Sequence, residues 1–138
     1  MAPDSVDYAG IDELEAAERN LQRYLRRKIE LLMSLLEGKQ ICEVGCGTGT
    51  VTHFLWRKGY QVVACDISER CLNMAKQRGI EATFVQLDIC KAKASTELSN
   101  RFDSVLMSNL LEHVLADDEA LINAKSFLRD RGVLVVLV

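Results

Sequence analysis

The sequence predicts an α/β domain built on a parallel sheet that is covered on both faces. Three observations predict it. Short, almost wholly apolar runs alternate with segments of helical periodicity, the pattern of strands buried on both sides. The first run, Gln40–Val44, leads into Gly45-Cys46-Gly47-Thr48-Gly49-Thr50, and a helical pattern (Val51, Phe54, Leu55) follows at once. Glycines suit backbone that turns sharply and that a ligand approaches closely. Carboxylates stand at the ends of successive runs: Glu43, Asp66 and Asp88.

Taken in order, residues 1–10 hold the sole proline, Pro3, among small or acidic residues, and predict a flexible tail. Ile11, Leu14, Leu21, Leu25, Ile29, Leu32 and Leu36 recur at three, four and seven residues, which predicts one amphipathic helix, or two with a break, over 11–37. Arg19, Arg23, Arg26, Arg27 and Lys28 make it locally basic. The plain reading is a solvated face; the sharper one is a contact for an acidic substrate or RNA, and no aromatic interleaving supports RNA. Gly38 suits a helix cap. Gln40–Val44 is the first strand and Val51–Lys58 its helix, ended by Gly59. Gln61–Cys65 is the second strand; Ser68 is an N-cap, Glu69 suits the first turn, and Gly79 ends that helix. Ala82–Gln86 is the third strand, Lys91–Asn100 a loop or weak helix, and Phe102–Met107 the fourth strand. Asp117 caps the next helix, with Asp118 and Glu119 in its first turn, Ala120, Leu121, Ala124 and Leu128 on its inner face, and Gly132 closing it. Val133–Val138 is a fifth, wholly apolar strand. A bare apolar edge promotes association. The expectation is therefore a piece of a longer chain, or an edge covered by a partner or a second copy, with self-association through that strand.

A chain of 138 residues predicts one domain, and 49% hydrophobic residues supply a core. The net charge of −3 carries no global footprint for nucleic acid or an anionic membrane. The five cysteines (Cys42, Cys46, Cys65, Cys71, Cys90) form no C-x-x-C pair and read as reduced, mostly buried thiols of a cytoplasmic protein. His53 and His113 share no metal-binding spacing with them, so no metal is expected. No run reaches the ~18 apolar residues of a membrane span, and neither a membrane nor a nucleic-acid partner is expected.

The glycine spacing narrows the ligand. Gly47 and Gly49 are two apart, where a dinucleotide loop needs three, and no lysine follows as in the phosphate loop of nucleotide hydrolases. A carboxylate at Glu43 would repel a pyrophosphate and attract a cation, such as the ammonium and sulfonium of S-adenosylmethionine. The pattern Glu43-x-Gly45-x-Gly47-x-Gly49 resembles the first motif of class I S-adenosylmethionine-dependent methyltransferases. Asp66 closes the second strand, near the ~20 residues past the loop at which a ribose-binding acid is expected, with apolar Ile67 beside it. Asp88 closes the third, flanked by Leu87 and Ile89. The stretch from Phe102 through Ser108-Asn109-Leu110-Leu111-Glu112-His113 to Val114, and Arg131–Val136, are similar to later motifs of the same family.

That resemblance, over residues 38–138, implies a Rossmann-like three-layer sandwich with strand order 3-2-1-4-5, lacking the last two of the family's seven strands. It implies that Glu43, Gly45, Cys46, Gly47 and Gly49 hold the methionine end of S-adenosylmethionine. Asp66 takes the ribose, Asp88 with Ile67, Leu87 and Ile89 the adenine, and Asn109 joins the cofactor-binding set. Ser108-Asn109-Leu110-Leu111 departs from the acid- or Asn-Pro-Pro-aromatic tetrapeptide of the branch that methylates amino groups of bases or amides. A small-molecule acceptor is expected instead. His113 is the candidate general base, since imidazole exchanges protons near neutral pH. His53 reads as structural and Glu112 as a solvated or capping acid. The alternative is a cofactor-binding or interaction module without independent catalysis, completed by a partner or by further sequence. An NAD-dependent oxidoreductase is opposed by Glu43 and the glycine spacing.

Overall fold

A computed structural model describes residues 8–91 and 97–138. The expected tail, over residues 1–7, and the middle of the expected 91–100 loop, residues 92–96, lie outside the described residues; 97–100 form a turn. The chain divides into two compact units, Met1–Ser34 and Leu35–Val138. Most of α1 (Tyr8–Leu35) belongs to the first. It is one unbroken helix that starts before Ile11, so the alternative of two shorter helices falls away.

The second unit runs β1 (Gln40–Val44), α2 (Thr50–Arg57), β2 (Gln61–Asp66), α3 (Glu69–Lys76), β3 (Thr83–Gln86) and β4 (Phe102–Ser108). A single 3-10 turn (Leu111–His113), α4 (Asp117–Phe127) and β5 (Leu128–Leu137) complete it. The sheet order is β3-β2-β1-β4-β5, as expected, and every pairing is parallel. The order reverses between β1 and β4, and at such a switch point the carboxyl ends of the strands leave a crevice.

Right-handed crossovers place α2 and α3 on one face and α4 on the other, because β1 to β3 step one way across the sheet and β4 to β5 the other. Strand residues alternate between faces. Cys42, Val44, Val63, Cys65, Val105 and Met107 pack with Ala120, Ala124 and Phe127 of α4. On the opposite face, Ile41, Glu43, Val62, Ala64 and Leu106 are buried, with Thr52 and Leu55 of α2 and Leu72 and Ala75 of α3. Both faces are covered, so the central strands carry no polar alternation.

The segment leading into β1 is pinned to the start of β4. Asp103 Oδ2 accepts the amides of Lys39 (2.9 Å) and Gln40 (2.8 Å), and Arg129 pairs with its other oxygen. Ser104 Oγ both donates to the Glu37 carbonyl and accepts from its amide, each at 2.8 Å. Gly38 has φ +67°, and a Cβ there would overlap the Asp103 carboxylate. The residue serves this close approach; it is no helix cap, since α1 ends at Leu35.

Ser68 caps α3 as expected, accepting the Cys71 amide at 3.2 Å. At α4 the sequence expectation needs correcting. Ala116 holds the cap position without a side-chain bond, and Asp117 is the first helical residue. The inner face is Ala120, Asn123, Ala124 and Phe127, the polar member Asn123 donating to the Ile89 carbonyl at 2.7 Å. The helix ends at Phe127; Leu128 opens β5, and Gly132 lies inside that strand. Between Phe102↔Leu128 and Ser104↔Val133 the register slips, and Arg131 there takes φ +63°. This irregular stretch, with Arg129, Asp130 and Arg131 exposed, reads in sequence as a helix end because it is charged and precedes a glycine. As an edge strand β5 buries only Val135 fully; Val136 is exposed.

Candidate functional site

The glycine loop is shaped by bonds to β2. The Cys65 carbonyl accepts the amides of both Gly45 (2.8 Å) and Cys46 (2.9 Å), and Gly49 closes a turn onto the Cys46 carbonyl at 3.0 Å. Asp66, the last residue of β2, accepts the Gly47 amide on Oδ2 (2.8 Å) and the Ser68 amide on Oδ1 (2.9 Å). Each carboxylate oxygen has further acceptor capacity, and the residue is half-buried. The strand-end acid and the loop are thus one hydrogen-bonded unit. Gly45 has φ +79°, and a Cβ there would crowd the Leu110 side chain at 3.1 Å. Gly49 has φ +86°, and its bare face lets the start of α2 approach Ala75 of α3, where a Cβ would meet Ala75 Cβ at 3.0 Å.

Beside this unit, at the carboxyl edge, lies a cavity of about 70 Å³ lined by Val44, Gly45, Asp66, Ile67, Leu87, Asp88, Ile89, Leu110 and Val114. Of the sequence-predicted residues, it brings together Gly45, Asp66, Ile67, Leu87, Asp88 and Ile89. Asp88 follows β3, with Oδ1 accepting the Cys90 amide at 3.0 Å. A larger open groove of about 560 Å³, lined by Trp56, Tyr60, Gln61, Glu81 and Thr83 among others, lies at the start of β2 and β3. It is at the opposite edge of the sheet from the loop and the acids, so size does not mark the site.

Cys46, Gly47 and Gly49 shape the loop without lining the cavity. Asn109 is exposed just past β4 in a left-handed conformation (φ +53°), its amide bound to the Leu137 carbonyl at 2.8 Å. His113 is exposed in the 3-10 turn between the cavity-lining Leu110 and Val114, with its amide on the Leu110 carbonyl at 2.9 Å. His53 lies on α2, edge-on to the rings of Phe54 and Trp56; its Nδ1 is buried without a hydrogen-bond partner.

Glu43 differs from the picture of an acid facing the ligand. It lies within β1 and is 3% exposed. Its Oε2 accepts the Thr52 hydroxyl at 2.5 Å. Burial pushes its carboxyl up to about 7; the Thr52 bond opposes this, and the Asp66 charge adds to it. It lies on the same sheet face as Asp66, one side-chain layer below, and does not line the cavity. Burial likewise pushes the Cys46 thiol up, and the Cys65 thiol, 3.9 Å away, together with burial raises that of Cys42. All five cysteines are free, and among the described residues no group of His, Cys, Asp and Glu is placed to hold a metal ion.

Sequence reasoning missed Leu110 and Val114 as lining residues, Thr52 as the partner of Glu43, and Arg78. The Arg78 guanidinium, from the end of α3, donates to the Thr48 carbonyl (3.2 Å) and the Thr50 hydroxyl (3.3 Å), bracing the far side of the loop. Arg78 carries no motif, and Thr52 is one of several polar residues at the start of α2, beside Thr50 and His53, so nothing local marks it as the partner of Glu43.

Comparison with known proteins bears on this geometry. Residues 42–136 match the family described as methyltransferase domain. A ubiquinone biosynthesis O-methyltransferase of Leptothrix cholodnii is 30% identical over 112 residues, covering 79% of this chain and 47% of that protein. The chain therefore spans about half the length of the curated relatives it matches. A solved structure from Thermotoga maritima, described as a SAM-dependent methyltransferase and possible histamine N-methyltransferase, superposes with a TM-score of 0.70 at 23% identity, over 91% of this chain and 56% of that one. The cyclase SpnF superposes with a TM-score of 0.66 at 21% identity, over 75% of this chain and 40% of that one. Both structural likenesses speak to the fold.

Proposed function

The chain belongs to the methyltransferase-domain family, the class I S-adenosylmethionine-dependent methyltransferases, and from that membership we propose that it binds S-adenosylmethionine at the carboxyl-edge cavity and passes a methyl group to a small-molecule acceptor. One observation carries the reading: Asp66 closes β2, holds the Gly47 amide and borders an apolar slot that ends at Asp88. The residues fit such a cofactor. A row of carboxylates suits a cation, Asp66 keeps lone pairs for two ribose hydroxyls, and Ile67, Leu87 and Ile89 offer apolar surface to a purine, with Asp88 available to its amino group.

When bound, the cofactor supplies an electrophilic methyl on a sulfonium sulfur, and the chain's own work is positioning and charge. The Gly45–Gly49 loop, braced by Arg78 and Asp66, presents backbone to the methionine end. Asn109 precedes the lining residue Leu110 in the chain. Glu43 lies beneath the loop, and its ionised form, which grows as pH rises through about 7, adds negative charge there. His113, exposed in the turn between the lining residues Leu110 and Val114, is our candidate to take a proton from an acceptor hydroxyl. An oxygen acceptor is the class suggested by the relatives' names; the cyclase of the same fold is the reminder that the site, and not the fold, decides the chemistry.

The test is calorimetric titration of the chain with S-adenosylmethionine and, separately, NAD. Saturable binding of the first alone is expected, and Asp66→Ala weakens it more than tenfold, because a charged two-hydroxyl contact is lost. Circular dichroism of the variant checks that the loop survives losing its Gly47 and Ser68 bonds. Unchanged affinity in a folded Asp66→Ala chain would remove the ribose assignment.

A further inference from the structure

We propose that Asn123 is a positioning residue for the cofactor's base: from α4 it holds the turn after β3 that sets Asp88 and Ile89 along the cavity. This rests on the cofactor reading above and deepens it. Asn123 stands on the inner face of α4 with Ala120, Ala124 and Phe127. Those three are wholly buried, and Asn123 is 5% exposed. A carboxamide taken out of water is costly unless its polar atoms are bonded, so packing alone favours an apolar residue there. What sets Asn123 apart from its neighbours is a bond to a loop: Nδ2 donates to the Ile89 carbonyl at 2.7 Å.

The turn is tied down at both ends. At its start the Leu87 amide donates to the Asp66 carbonyl of β2 at 3.0 Å. Within it, Asp88 accepts the Cys90 amide on Oδ1 and the Lys91 amide on its carbonyl, each at 3.0 Å. At its far end two bonds run to α4: Asn123 to Ile89, and the Cys90 thiol to the Ala116 carbonyl at 3.7 Å. A thiol is a weak donor, so the carboxamide carries this tie. Leu87, Asp88 and Ile89 all line the cavity. In the cofactor reading, Leu87 and Ile89 lie on the adenine ring and Asp88 accepts from its amino group. A base with an oxygen in place of that amino group would set acceptor against acceptor, and a polar contact of this kind rejects such an analogue. The rejection depends on where Asp88 stands, because a hydrogen bond weakens steeply with angle and distance, whereas apolar contact is non-directional. Without Asn123 the Ile89 carbonyl loses its donor and the turn shifts, carrying Asp88 with it. Choice between bases then falls further than affinity does.

Calorimetric titration of the 138-residue chain with S-adenosylhomocysteine and with S-inosylhomocysteine, its deaminated analogue, tests this. The wild-type chain is expected to prefer the adenosyl ligand by about tenfold or more. Asn123→Leu, close in size and without the donor, is expected to lose at least about threefold of that preference. A residue that serves only the stability of the core would weaken both ligands alike, so a folded variant with an unchanged ratio overturns the proposal and leaves the cofactor reading standing. A wild-type chain that binds neither ligand overturns that reading and this proposal with it. If Asn123→Leu does not fold, the wild-type chain supplies the answer through the side-chain amide signals of Asn123. Those signals are expected to shift on saturation with S-adenosylhomocysteine and to shift less with the inosyl analogue. Signals that stay in place, or move equally with both, overturn the proposal.

Discussion

Glu43 is a buried carboxyl whose ionisation is coupled to folding. Its pKa rises from an ordinary 4.5 to about 7, chiefly through burial. The folded chain then holds this proton over a pH range where the unfolded chain has lost it. The associated stability is fully present below about pH 4.5 and is lost as pH rises through about 7, up to about 3 kcal/mol at 1.36 kcal/mol per unit. Glu43→Gln removes the titration, so its stability relative to wild type should grow between pH 5 and pH 8 in paired urea denaturations. A constant difference would contradict the buried-charge account. A cation bound above the loop favours the ionised form, so S-adenosylmethionine should bind the wild-type chain more tightly at pH 8 than at pH 6, and this slope should flatten in Glu43→Gln. Both faces of β1 are buried, so nothing in Gln40-Ile41-Cys42-Glu43-Val44 says which face the acid takes, and its partner Thr52 was not read from the sequence.

At the scale of elements, the parts that were legible are those whose ends carry local chemistry. Ser68 caps α3 with its own hydroxyl, and Gly59 and Gly79 take left-handed φ after their helices. The boundary from α4 to β5 was not legible, because a register slip in Arg129–Gly132 is decided by pairing with β4 across the sheet. The same long-range logic fixes the start of β1. Asp103 is 6% exposed and satisfies two amides of the incoming strand as well as Arg129. Asp103→Ala leaves those amides short of an acceptor and should cost about 2–4 kcal/mol of unfolding free energy, measured by denaturant titration. A loss below the usual surface range of ~0.5 kcal/mol would show that water replaces the carboxylate and that the anchor is dispensable.

Across the whole second unit, parallel pairing followed from apolar runs separated by helices, the strand order from the resemblance to class I methyltransferases, and the crevice from the reversal of that order between β1 and β4. The acids were legible as strand-end residues; their grouping was legible only in part. Asp66 and Asp88 share a cavity, while Glu43 sits beneath it. Leu110 and Val114 come from the segment after β4 and reach the same cavity because β4 is β1's other neighbour. We propose that this crevice holds the adenosyl ligand. The most direct measurement is an amide NMR titration of the chain with S-adenosylmethionine. The largest shifts are expected on Gly45, Gly47, Asp66, Ile67, Leu87–Ile89 and Leu110. Shifts centred on Trp56, Tyr60 and Glu81 at the opposite edge, or no saturable shifts in the folded chain, would contradict it.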